Sequence, residues 1–151
     1  MKLSQNIIKA FFNLSVSIIE LFHDVDFYEN KGIDLLNMPE GTLGNKIGKS
    51  LKENKLRLVP RYESHDLKHI LLDYDMNPVD EIRMKAFMLG NRNYSVSVFT
   101  IFIFGALLLP NFWITFCKDF RRGRKSLPIK TWTIENYAHF QVSLLQRLIF
   151  K

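Results

Sequence analysis

The feature that most constrains the fold is an uncharged stretch that runs from residue 94 to residue 117. Its 24 residues could cross a bilayer if they formed one helix. A break at Pro110 and Asn111 leaves about 16 uninterrupted residues, a length more typical of a buried helix or of one lying at a membrane surface. Its β-branched and aromatic content would also suit a strand, but the helical spacing around it favours a helix. A core helix, a surface-bound helix and a true span all stay open.

Helical spacing also marks the rest of the chain. Apolar side chains recur every three or four residues over residues 4–23, which predicts a first helix there. Thr42 can cap a second helix, in which Leu43, Ile47 and Leu51 would share one face. We therefore predict an all-α fold.

The length of the chain bounds the number of domains. At 151 residues with 47% hydrophobic side chains, the chain can bury one sizeable core. We predict that residues 1–151 form a single compact helical domain.

Two short helices joined by a tight turn are predicted in the middle of the chain. Ser64 can cap the first helix, which covers residues 65 to about 73. Asn77 can cap the second, with Pro78 at its first position, and that helix extends to about Leu89. Because the turn between them is short, we expect the two helices to be antiparallel neighbours.

A candidate metal site falls on this helix pair. His65 and His69 are four residues apart, which places both imidazoles on one face of the first helix, within reach of a single cation. Asp66 could ligate as well or orient a histidine, and Glu81 in the next helix could fold back toward His69. This set suits Zn²⁺ with an open position, or Fe²⁺. The alternative is that the histidines are surface residues and the carboxylates favour helix N-termini.

The charge of the chain favours anionic partners. Lys and Arg number 21 against 15 Asp and Glu, a formal net charge of +6. We expect no nucleic-acid partner, since the basic residues are not interleaved with aromatic ones. The dense basic cluster comprises Lys118, Arg121, Arg122, Arg124 and Lys125.

The compartment follows from cysteine usage and from the beginning of the chain. The single cysteine, Cys117, excludes an internal disulfide and a cysteine-based zinc site, and it favours a reducing environment. The first residues lack a signal-peptide pattern, and no arginine precedes Arg57, whereas a mitochondrial transit peptide would be rich in arginine. We expect a cytoplasmic protein of a bacterium-like cell.

The metal-site motif and its flanks resemble a known family. The pattern His-Asp-x-x-His, eleven residues, then Glu is similar to that of the coenzyme Q (ubiquinone) biosynthesis proteins of Coq-four type, and it occurs here as His65, Asp66, His69 and Glu81. The resemblance is strongest over residues 35–135. Family members usually have Gly before the Glu, where this chain has Asp80. The flanking matches are Met38-Pro39-Glu40-Gly41-Thr42-Leu43-Gly44, Lys85-Ala86-Phe87, Arg122-Gly123-Arg124-Lys125-Ser126 and Trp132.

This resemblance implies a function. It implies a divalent metal held by His65, Asp66, His69 and Glu81, and a polyprenylated quinone precursor as substrate. The implied reaction is oxidative removal of the ring carboxyl at C1 with hydroxylation there, which would make the protein a metal-dependent oxidative decarboxylase. A non-catalytic scaffold that binds a prenyl lipid, together with other quinone-biosynthesis proteins, is the alternative.

The resemblance also gives a possible role to the apolar stretch and the basic cluster. Residues 98–109 could line a channel for a prenyl tail, while Arg121, Arg122 and Arg124 could bind lipid phosphates at the membrane. We accordingly expect peripheral membrane association. The plain alternatives are a core helix and a solvated helix end.

A third function would be that of a phosphohydrolase in which a His-Asp pair binds metal. Such enzymes need a further histidine upstream and an aspartate downstream. The only candidates are His23 and Asp119, and neither lies in a sequence context that is typical of a metal ligand in such enzymes.

Overall fold

The fold is described from a computed structural model. The structure describes residues 2–8, 10, 25–58 and 63–151. Residues 2–8 are helical, but most of the helix predicted over residues 4–23 lies outside the described residues, as does His23.

The described residues are predominantly helical. Within them the β-pairing consists of one isolated antiparallel bridge between Thr42 and Gln141, so the all-α prediction is confirmed. The elements are α1 (Val25–Leu36), α2 (Leu43–Glu53), α3 (Glu63–Leu72), α4 (Pro78–Gly90), α5 (Val96–Leu108), a 3-10 turn (Pro110–Phe112), α6 (Trp113–Lys125), α7 (Ile134–Tyr137) and α8 (Val142–Ile149).

The chain divides into two compact units. The α1–α3 unit comprises Phe12–Asp73 and Trp132–Arg147. The α4–α6 unit comprises Met1–Phe11, Tyr74–Thr131 and Leu148–Lys151. The prediction of one domain over residues 1–151 stays a prediction.

In the α1–α3 unit, α2 packs closely against α1. The Thr42 hydroxyl caps α2 by accepting a hydrogen bond from the backbone N–H of Asn45 at 3.3 Å. The predicted apolar face is buried, with Leu43 and Ile47 fully enclosed. Gly48 lies against the backbone of Leu36 at the end of α1, where a Cβ atom would overlap it. The capping residue and the buried face of α2 are therefore as predicted.

Two features of the α1–α3 unit differ from the sequence-based expectations. Helix α1 occupies a segment that is rich in polar side chains and carries a weak apolar stripe, so its spacing did not indicate a helix. Helix α3 begins at Glu63, so Ser64 lies inside the helix and the prediction that it is the N-cap is wrong. The first described helical residue, Glu63, lies two residues before the predicted start at residue 65, which is within the usual uncertainty of helix ends.

In the α4–α6 unit, α4 begins as predicted. The Asn77 side chain accepts hydrogen bonds from the backbone N–H groups of Val79 and Asp80 at 3.0 and 2.9 Å, and Pro78 is the first helical residue. Helix α4 then crosses α6 at two glycines. A Cβ atom at Gly90 would overlap the carbonyl oxygen of Phe120, and one at Gly123 would overlap that of Phe87. These close approaches bring the backbones of α4 and α6 into direct contact.

The apolar stretch forms a helix with an exposed surface. Only Val98 and Gly105 are buried within α5, whereas Val96 and Leu107 are 79% and 70% exposed. The interpretation of this segment as a buried core helix is therefore wrong for most of its length. Among the described helices, none is long and apolar enough to cross a membrane alone, but α5 and the segment Pro110–Lys125, bent by 107°, meet the length and composition requirements as a pair.

Candidate metal centre

Helix α3 carries both histidines on one face. Leu67 and Leu71 are fully buried and one turn apart, so the apolar face of α3 anchors the helix. Next to this face, His65 and His69 lie one turn apart, and their ring centroids are 4.7 Å apart at 63°. His69 is only 3% exposed, while His65 is half-buried. The predicted pairing of the two imidazoles is therefore present.

Asp66 lies beside His65. Its carboxylate oxygen Oδ1 is 3.6 Å from His65 Nδ1, which is too long for a hydrogen bond but close enough to favour one ring orientation. A carboxylate in this position can orient a metal-binding imidazole without itself being a ligand. Asp66 as a direct ligand stays a prediction.

Glu81 is held in the first turn of α4. Its carboxylate is buried, and its oxygen Oε1 lies 2.6 Å from the ammonium group of Lys85, one turn further along the same helix. Both side chains are less than a tenth exposed, so this is a buried ion pair. A carboxylate has about four lone-pair sites, and binding one ammonium group does not exhaust them.

The donors that could hold a metal ion are His65 and His69 on α3, in one unit, and Glu81 on α4, in the other. Two imidazoles and one carboxylate are a donor set that suits Zn²⁺ or Fe²⁺, and three protein ligands leave a position for water or substrate. These donors thus fit the metal that the sequence motif implies. The antiparallel packing of α3 and α4 stays a prediction.

Asp119 has a different role from the one that a phosphohydrolase would require. It is buried in α6, where it accepts hydrogen bonds from the Tyr74 hydroxyl and from Arg83 Nε, each at 2.9 Å. Burial raises the pKa of Tyr74, and the adjacent Asp119 carboxylate raises it further, so the hydroxyl stays protonated and donates. Asp119 therefore links Tyr74 and Arg83 to α6. This structural role disfavours the phosphohydrolase alternative.

The three arginines assigned to anion binding do not lie together. Arg121 and Arg122 line a pocket on α6, together with Lys118 and Lys125. Arg124 is exposed and is not among the residues that line this pocket. The helical period explains the difference, because Arg124 is six residues after Lys118 and so points away from the face that carries the other four.

Two of the side-chain contacts described above were not recognised in the sequence. The Glu81–Lys85 ion pair could have been found from the spacing of four residues between opposite charges. The Tyr74–Asp119 contact carried no such signal, because 45 residues separate the two side chains.

Comparison with known proteins supports the fold. No family model matches the chain, and no curated protein is similar enough in sequence to count as a match. Among solved structures, the chain is similar to a protein from Nostoc punctiforme PCC 73102 that is provisionally named a ubiquinone biosynthesis protein. The TM-score is 0.64 at 20% sequence identity, and the match covers 91% of this chain and 80% of the other. At that identity the likeness establishes a shared fold.

Proposed function

We propose that this chain is a metal-dependent protein of ubiquinone biosynthesis that acts on a polyprenylated precursor of the benzoquinone ring. The observation that carries the proposal is the pair of imidazoles, His65 and His69, on one face of α3, with Glu81 of α4 as the third proposed ligand. The spacing of these residues in the sequence and the provisional name of the structural neighbour point the same way. The proposed reaction is oxidative decarboxylation at C1 of the ring with hydroxylation at the same carbon.

The chemistry sets what the chain has to provide. The ring carboxyl leaves as CO₂, and one atom of dioxygen enters as the new hydroxyl. Two electrons and two protons from an external reductant convert the other oxygen atom to water. A bound divalent metal would supply a positive centre for the carboxylate or for dioxygen. The chain's own contribution is to hold its two imidazoles and the Glu81 carboxylate in place, with Lys85 fixing one carboxylate oxygen.

A turnover experiment tests the proposal. The purified protein, loaded in turn with Fe²⁺, Mn²⁺ and Zn²⁺, is incubated with dioxygen, ascorbate and a polyprenylated hydroxybenzoate whose carboxyl carbon is labelled. We expect labelled CO₂ and a hydroxylated ring, with both products lost in His69→Ala. Tight binding without turnover would instead support a scaffold that presents the lipid to other quinone-biosynthesis proteins. Neither binding nor turnover with any of the three metals would overturn both versions.

We further propose that the protein contacts membranes peripherally through α5. Phe99, Ile103 and Leu107 are each more than two-fifths exposed, so this helix presents a wide apolar surface. Contiguous apolar surface of this kind marks a protein or membrane contact. Arg121 and Arg122 on α6 would add attraction to anionic lipid headgroups.

Membrane association should be reversible and should depend on α5. We expect high salt or carbonate to release the protein from membranes, because a helix at the surface is not anchored by a span. In a vesicle-flotation assay, Leu107→Glu should reduce the bound fraction several-fold. Leu127→Glu is the matched control, since Leu127 is also exposed but lies outside α5. Retention through carbonate washing, or equal losses for the two variants, would contradict this proposal.

A further inference from the structure

The last two turns of α6 carry a basic face that lines a pocket. Arg121, Arg122 and Lys125 follow Lys118 by three, four and seven residues, which places all four side chains on the same side of the helix. The cavity has a volume of about 460 Å³, and its remaining walls are Ser126, Phe150 and Lys151. The basic cluster is therefore not a flat solvated surface but one side of a concavity.

The pocket concentrates positive charge. Among the described residues that line it, five are basic and none is acidic. The nearest carboxylate along the helix belongs to Asp119, and it is engaged by Tyr74 and Arg83. The C-terminal end of α6 contributes the equivalent of only about half a negative charge. Five cationic side chains outweigh that, so the pocket attracts anions.

Arg122 is held in place by aromatic rings. Its guanidinium carbon lies 4.4 Å from the ring centroid of Phe150, 5.5 Å from that of Phe87 and 5.6 Å from that of Tyr74. Guanidinium groups stack on aromatic faces in this way and keep in-plane donors that match phosphate oxygens. A side chain that is already ordered loses less conformational entropy when a ligand binds.

We propose that this pocket binds a phosphate-bearing ligand, a phosphomonoester or a diphosphate. Such groups carry about two negative charges or more and several acceptor oxygens, so they can engage several cations together, whereas one carboxylate cannot. The volume accommodates a diphosphate with solvent to spare. The source is either a free phosphate compound or the headgroup of a lipid. The proposal does not depend on the metal group and goes beyond the reaction proposed above.

Binding to two probes tests the pocket, in the presence of a chelator so that the metal group has no part. The first probe is inorganic pyrophosphate, titrated by calorimetry at constant ionic strength. The second is a phosphatidylcholine vesicle containing phosphatidic acid, with pure phosphatidylcholine as the blank. The variants are Lys118→Gln and Arg121→Gln, both at exposed positions, and the matched control is Arg124→Gln. Circular dichroism establishes that each variant keeps its helices.

Pocket binding predicts a clear difference between these variants. Each pocket variant should weaken pyrophosphate binding by about 10- to 100-fold, as expected for the loss of a hydrogen bond between charged groups. Arg124→Gln should change it by less than about twofold, since it removes the same charge outside the pocket. Binding to phosphatidic acid vesicles alone, with the same dependence on the variants, would assign the phosphate to a lipid headgroup. Equal losses in all three variants, or no binding to either probe, would overturn the proposal.

Discussion

His69→Ala is expected to abolish tight metal binding. His69 is buried on α3 with its ring 4.7 Å from that of His65, which is itself a proposed ligand and so cannot also replace His69. Loss of a direct ligand should lower metal affinity by more than the roughly 10- to 100-fold that is typical of a supporting residue. Elemental analysis of the purified wild-type protein should find about one divalent metal per chain, as expected for a single group with three protein ligands. The variant should be nearly metal-free.

Graded effects of other substitutions would distinguish ligands from supporting residues. Metal affinity, measured by competition with a chromogenic chelator, should fall most in His69→Ala, less in Glu81→Ala and least in Asp66→Asn. Asp66 is expected to be the mildest because it lies 3.6 Å from His65 Nδ1, where it can orient the ring. Circular dichroism should show largely unchanged helical content. If Asp66→Asn abolished metal binding while His69→Ala retained it, these roles would be reversed.

Lys85→Met is expected to destabilise the metal-free protein strongly. The ammonium group of Lys85 and the carboxylate of Glu81 are 2.6 Å apart, and both side chains are less than a tenth exposed. Removing one member of a buried ion pair typically costs about 3 to 5 kcal/mol, because the other charge stays desolvated without that partner. The measurement is the free energy of unfolding from urea denaturation in the presence of a chelator.

Adding metal should reduce the effect of Lys85→Met. A divalent cation bound to Glu81 would supply the positive charge that the substitution removes, and a ligand that binds only the folded state stabilises it. The double variant Glu81→Gln with Lys85→Met is the control, since it removes both charges and should recover most of the lost stability. A loss below about 1 kcal/mol in the chelated protein, where a buried pair predicts several, would contradict this account of the pair.

The relation between Lys85 and the metal group has a functional consequence. A lysine that binds one carboxylate oxygen fixes the orientation of Glu81 before any metal arrives, which lowers the cost of assembling the group. It also places a positive charge next to a cation site. We therefore expect Lys85 to influence the metal affinity although it is not itself a proposed ligand.

The helix caps and the histidine pair could be predicted from the sequence because they are local. Thr42 reaches Asn45, and Asn77 reaches Asp80, each across three residues. His65 and His69 are one helical turn apart, so their proximity follows from the helix alone. Patterns of this range determined that the chain is helical and where the candidate ligands lie.

The tertiary structure decided everything that depends on distant parts of the chain. The contact of Tyr74 with Asp119 spans 45 residues, and no spacing rule reports it. The sequence also did not decide whether α5 is buried or exposed. An apolar helix can pack inside a core or lie against a membrane, and its composition is the same in both cases. The basic face of α6 becomes one side of a pocket only through the position of Phe150, which lies beside Arg122. Local hydrogen bonds and helical periodicity are encoded within a few residues, whereas burial and the assembly of a pocket depend on which surfaces meet when the chain folds.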